Sequence, residues 1–106
     1  MSPTEIIFSP NAEKEIKRLQ NTDMKIVLGA LEKFSAGEGK NNVEKIKANP
    51  CFFRLKVGSF RLIYYPLSHE RVVLLLIRDR KNAYKNLGDL DKRLETAIRK
   101  LKIAKG

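Results

Sequence analysis

Apolar positions change their spacing twice along the chain, and those changes divide it into elements. Thr4 to Phe8, TEIIF, is a short apolar run that reads as a strand. Ser9-Pro10 follows, an N-cap residue with proline at the first helical position. Ala12, Ile16 and Leu19 then recur at helical spacing, with Glu13 and Glu15 in the early turns, where the helix dipole favours acids. Asn21-Thr22-Asp23 breaks this helix and can cap the next, in which Met24, Val27, Leu28, Leu31 and Phe34 form an apolar stripe. Gly37-Glu38-Gly39 closes it. The pattern predicts two antiparallel helices joined by a tight turn.

After Lys40 the spacing shortens. NNVEKIKANP reads as a loop or short edge segment anchored by Val43 and Ile46. From Cys51 to Val57 the chain alternates as a strand, with Phe53, Leu55 and Val57 on one face and Phe52, Arg54 and Lys56 on the other. Gly58-Ser59 signals a type II′ hairpin, because glycine tolerates positive φ at the first turn position. Phe60 to Tyr65 is the return strand, and Pro66 to Glu70 a second turn. Arg71 to Arg78, RVVLLLIR, is apolar on both faces, as a central strand covered on both sides would be. Leu87, Leu90, Leu94, Ala97 or Ile98, and Leu101 outline a last helix. The fold class is therefore α+β in the order β-α-α-β-β-β-α. Its small, twisted, mainly antiparallel sheet would carry two N-terminal helices on one face and a C-terminal helix near its end. A single domain spanning residues 1–106 is expected, without internal repeats or long linkers.

The charge changes this picture more than the composition does. The net charge is +10, but Met1 to Gly39 carries five basic and six acidic residues, a net of −1. Lys40 to Lys85 carries eleven basic and three acidic, a net of +8, and Asn86 to Gly106 six and three, a net of +3. Solubility alone spreads lysines over helix surfaces, whereas here the charge lies in strand-like sequence, which points to a polyanionic partner. One cysteine, Cys51, cannot make an internal disulfide or a cysteine-rich metal site. With no signal peptide or bilayer-length apolar run, a reduced, cytoplasmic setting is expected.

Most catalytic signatures are missing. His69, the one histidine, falls in a turn beside Glu70; no acid pair has the setting of a glycosidase or metal site; and no glycine-rich phosphate loop is present. No cofactor or metal is expected. What remains is a set of cations among apolar residues: Arg54, Lys56, Arg61, Arg78 and Arg80, followed by Tyr84. Guanidinium groups clamp phosphate bidentately and stabilise the added charge of a phosphorane. Lysine can move a proton where like charges lower its pKa, and nearby cations favour a phenolate. These parts suffice for metal-free RNA cleavage, in which a ribose 2′-OH attacks the adjacent phosphate. Phe52, Phe60 or Tyr65 could stack a base, although strand aromatics more commonly serve the core. Lys45, Lys47 and Lys81 extend the basic set and are assigned, with Arg54 and Phe52, to RNA binding.

FSPNAEKEIKRL, VEKIKANPCFFRLKVGSFRLIYY and LLLIRDRKNAYKNL, in this order and spacing, resemble the RelE/ParE superfamily of toxins from prokaryotic type II toxin–antitoxin pairs. The resemblance spans nearly the whole chain. It implies a ribosome-dependent, metal-independent endoribonuclease that cuts mRNA, inhibits translation and is neutralised by a cognate antitoxin. It also implies roles. Arg61 would contact the scissile phosphate, Arg54 and Lys56 would supply charge and proton transfer, Arg78 or Arg80 would stabilise the transition state, and Tyr84 would orient or deprotonate the 2′-OH. The sequence departs from the active pattern where lysines are replaced by Phe52 and Arg54. Arginine cannot be a general base, which leaves Lys56 and Tyr84 for that task. A ParE-like inhibitor of DNA gyrase without nuclease activity and a non-toxic relative are the alternatives.

Overall fold

The computed structural model describes residues 4–38, 42–47, 49–82 and 87–102. Five strands and three helices follow one another: β1 (Glu5–Phe8), α1 (Pro10–Lys17), α2 (Asn21–Ser35), β2 (Val43–Ile46), β3 (Asn49–Val57), β4 (Phe60–Pro66), β5 (Arg71–Asp79) and α3 (Leu90–Leu101), the last preceded by a 3-10 turn at Leu87–Asp89. The strands form one sheet in the order β1-β5-β4-β3-β2. β1 runs parallel to β5 and every other neighbour is antiparallel. The α+β class and the element order agree with the sequence, with one addition: the segment around Val43 and Ile46 is an edge strand in its own right.

Local chemistry accounts for the element ends. Ser9 caps α1, its Oγ accepting from the Ala12 N–H at 3.0 Å, with Pro10 in the first turn, where a missing N–H costs nothing. α2 begins at Asn21 with Gln20 as its N-cap and no side-chain cap, so Asn21 to Asp23 open the helix rather than precede it. Its end is a Schellman motif, in which the Glu38 N–H donates to Lys33 O and the Gly37 N–H to Phe34 O, while Gly37 takes φ 89°. In the β3–β4 hairpin Gly58 adopts φ 57° and Ser59 stays at negative φ, the type II′ pattern.

Two apolar layers flank the sheet. Ala12 and Ile16 of α1 and Val27 and Leu31 of α2 bury against Leu55, Val57, Leu62, Tyr64, Leu74 and Ile77 on one face. Leu90, Leu94 and Ala97 of α3 bury against Phe52, Ile63, Val73, Leu75 and Leu76 on the other. α3 thus covers the second face, where the sequence had placed it near the sheet's end. That is why β5 is apolar on both sides: six consecutive residues, Val72 to Ile77, are buried. A bulge makes the second layer possible. The register shifts between Ile63 and Tyr64, opposite Leu75, so Leu75 and Leu76 both join the α3 layer despite being neighbours in sequence.

Candidate phosphate-binding row

Strand register decides which cations meet. Lys56 of β3 lies opposite Arg61 of β4, and Arg61 lies opposite Arg78 of β5. Residues directly opposite in an antiparallel ladder share a face, so these three cations form a row across adjacent strands. The row occupies the face that α3 covers at its other end, since Phe52 and Ile63 share that face with Lys56 and Arg61. Like charges placed side by side on a sheet cost stability. Nothing in the core requires them there.

The members are held differently. Arg61 is 9% exposed, and its Nη1 donates to Gly58 O and to Phe60 O, both at 2.9 Å. Among the described residues its partners are carbonyl oxygens, not the carboxylates of Glu44 or Glu70 that could have neutralised it. The hairpin turn therefore fixes the guanidinium while leaving its charge in place. Lys56 is exposed on the row. Arg78 is half-buried at the base and reaches the carbonyl of Asn82 at 3.4 Å. Arg80, exposed, follows the strand, and its N–H donates to Ser59 O at 2.7 Å, which ties it to the same turn. Asp79 Oδ1 accepts from the backbone N–H and side-chain amide of Asn82, both at 2.9 Å, shaping the turn that carries exposed Lys81. Tyr84 lies outside the described residues.

Other expected members are elsewhere. Arg54 shares the face but is ion-paired with Glu44, its cross-strand neighbour on β2. Lys45 lies opposite Phe53, which puts it on the face of α1 and α2, and Lys47 is exposed just past β2. The assignment of Phe52 as a base platform needs correction for this arrangement. Its side chain is fully buried beneath α3, 5.3 Å from the Tyr65 ring, and presents no face to a base. Tyr64 is a core residue on the opposite face, stacked with Phe53 at 5.6 Å, and burial pushes its hydroxyl up to about 12.

Glu15 is the polar residue whose place the sequence did not reveal. β1 pairs with β5 only as far as Leu74, so the outer edge of β5 beyond it needs other partners. α1 supplies them. Ser9 Oγ donates to Leu75 O at 3.2 Å, and Glu15 Oε1 accepts from the Ile77 N–H at 3.1 Å and from the Asn11 side chain at 2.9 Å. Burial pushes the Glu15 carboxyl above its ordinary value, against the opposing pull of the Ile77 hydrogen bond and of Arg78, Arg93 and Arg18. The signal was available in strand lengths: a five-residue TEIIF cannot edge an eight-residue RVVLLLIR, and the next polar residues belong to α1.

The arrangement can bind a phosphodiester through a fixed guanidinium flanked by two further cations. Among the described residues no group of His, Cys, Asp or Glu is placed to hold a metal ion, and no helix is long and apolar enough to cross a membrane.

Comparison with solved structures finds similar folds. The RelBE2 toxin–antitoxin complex of Mycobacterium tuberculosis matches at TM-score 0.56 and 21% identity, over 74% of this chain and 99% of that one. The RelB–RelE antitoxin–toxin complex of Methanococcus jannaschii matches at TM-score 0.61 and 18% identity, over 76% and 98%. A double arginine-to-alanine mutant of the Escherichia coli toxin RelE in the free state matches at TM-score 0.60 and 17% identity, over 95% and 99%. No protein-family model matches the sequence, and no curated protein matches it significantly. The chain thus shares the fold of RelE.

Proposed function

We propose that this protein is the toxin of a toxin–antitoxin pair and acts in the cytoplasm as a metal-independent endoribonuclease on mRNA at the ribosome. The observation that carries the reading is the cross-strand row Lys56–Arg61–Arg78. On a RelE fold, a charge cluster that the core does not need is best explained by a ligand. The solved relatives supply the partner class, since two of them are toxin–antitoxin complexes. A basic toxin face suits an antitoxin with acidic character.

In this mechanism the ribose 2′-oxygen attacks the adjacent phosphorus and the 5′-oxygen of the next nucleotide leaves, giving a 2′,3′-cyclic phosphate and a free 5′-hydroxyl. Arg61, already oriented by the turn carbonyls, binds the non-bridging oxygens and stabilises the phosphorane. Arg78 and Arg80 add charge from the strand end. The 2′-OH proton goes to Lys56 or Tyr84, and the leaving oxygen takes a proton in turn. Arg54 contributes to the local field, but its pairing with Glu44 makes it the weaker phosphate ligand.

Tightly controlled expression with primer-extension mapping of mRNA 5′ ends tests this. New codon-linked ends are expected with the native chain and should vanish with Arg61→Ala and Tyr84→Phe. Growth arrest with intact mRNA and an induced DNA-damage response would sink the nuclease in favour of gyrase inhibition.

A further inference from the structure

A cleft of about 390 Å³ opens between the start of α1 and one flank of α3 and shares no lining residue with the row. Lys14 comes from α1, and Lys92, Arg93 and Lys100 from α3; Asn11 and Thr96 add polar groups. Ser9, Leu75 and Ala97, all buried, make its floor. Asp89 is the acid in the lining, and Arg93 consumes it, its Nε lying 3.1 Å from both carboxylate oxygens. Lys14, Lys92 and Lys100 are exposed, and among the described residues none of them forms an ion pair. A solvated helix face would scatter its lysines outward. Here cations from two distant parts of the chain converge over a low-dielectric floor, the geometry that concentrates a positive field.

Two features narrow the ligand. Lys92, Thr96 and Lys100 recur every four residues, so donors lie along one stripe of α3 at intervals of about 6 Å. That repeat suits a chain of regularly spaced anions. The cleft is linked to the row along β5, because Asn11 in its lining donates to Glu15, and Glu15 accepts from the N–H of Ile77, the residue before Arg78. A broad acidic protein surface would instead have to cover Asp91 and Glu95, both exposed beside the lysine stripe.

We propose that this cleft is a second phosphate site, holding the sugar–phosphate backbone of the RNA strand whose scissile phosphate sits in the row. The proposal rests on the reading of the row as an RNA site. The two sites would share one strand, so the cleft adds affinity and the row performs the chemistry.

The test is binding of a fluorescein-labelled single-stranded oligoribonucleotide to the full chain in an Arg61→Ala background, by anisotropy across a salt series. Lys92→Gln/Lys100→Gln is compared with Lys25→Gln/Lys33→Gln, which removes the same charge from exposed positions on α2. The cleft pair should weaken binding about tenfold and flatten the log–log salt slope by roughly 1 to 1.5, as expected for two lost contacts to a single strand. The α2 pair should change binding less than about twofold. Equal effects of the two pairs would overturn the proposal. So would a cleft pair that keeps RNA binding but loses binding of poly-glutamate, since the cleft would then dock protein. The native chain's cleavage separates this from the parent reading. Cleft-dependent RNA binding without cleavage removes the nuclease and keeps the cleft, whereas cleavage with unchanged binding does the reverse.

Discussion

Two ends of one sheet face, built from the same three strands, carry opposite chemistry. At one end Phe52, Ile63, Val73, Leu75 and Leu76 are sealed under α3. At the other, four residues past Phe52 on β3 and two residues before Ile63 on β4, Lys56, Arg61 and Arg78 stand in a row. The apolar end explains itself through burial. The cationic end opposes folding, because three like charges lie across adjacent strands with a guanidinium held by carbonyl oxygens. A structure maintains such a cost where a ligand supplies the missing charge, which is why we propose the row, and not the better-formed apolar layer, as the site.

The comparison breaks most visibly at Phe52. Truncation to alanine should remove about 3–5 kcal/mol of stability, because the ring is fully buried and its loss leaves a cavity beneath α3. Thermal or urea denaturation reads that loss. A melting curve unchanged by Phe52→Ala would mean that α3 is not seated on this face in solution. Arg61→Ala should do the opposite. Stability should change by no more than about 1 kcal/mol, since two hydrogen bonds to an exposed turn are lost while repulsion in the row is relieved. The cleavage rate should fall about 10²- to 10³-fold, the usual effect of removing one group aimed at developing charge. Equal losses of stability and rate in both variants would erase the distinction between the two ends.

Much of this was legible in the sequence, for identifiable reasons. The β3–β4 hairpin followed from strict alternation around Gly58, and the burial of β5 on both faces from its unbroken apolar run. β2 was ambiguous because Val43 and Ile46 are three apart, so alternation sends Val43 to the α1–α2 layer and Ile46 to the α3 layer and neither face of the segment reads as apolar. Phe52 was assigned to the ligand because it alternates with Arg54 and Lys56, yet a shared face says nothing about which end of that face is covered. The row itself needed the β4–β5 register, and the bulge at Ile63/Tyr64 sets that register differently on its two sides. Glu15 was hidden because its hydrogen-bond partner is the backbone of a strand sixty-two residues away.

Arg54 tests whether position on the cationic face is enough to make a residue part of the site. Its ion pair with Glu44 joins edge strand β2 to β3, and the Arg54 side chain is 12% exposed. A double-mutant cycle with Glu44→Ala and Arg54→Ala should return a coupling of about 0.5–1 kcal/mol in stability, the scale of a cross-strand opposite-charge pair. Glu44→Ala should also strengthen RNA binding by removing one acid from beside Arg54. No coupling, together with weaker RNA binding on Arg54→Ala alone, would return Arg54 to the phosphate site as a full member.

Glu15 gives the finest discrimination, because it touches the back of the row without belonging to it. Its carboxyl titrates above the ordinary value in the folded chain, chiefly through burial, so the folded state binds a proton more tightly there than the unfolded state does. The sign follows from linkage. The contribution of this residue is greatest at low pH, below the unfolded value of 4.5, and is lost as pH rises through the folded pKa. Glu15→Gln removes that titration while keeping an oxygen to accept from the Ile77 N–H. Stability at neutral pH should change by no more than about 0.5 kcal/mol. In the native-minus-variant difference, stability should decline as pH is raised from the acid side. A difference that instead grows with pH would mean that Arg78, Arg93 and Arg18 outweigh burial, placing Glu15 electrostatically within the cation row.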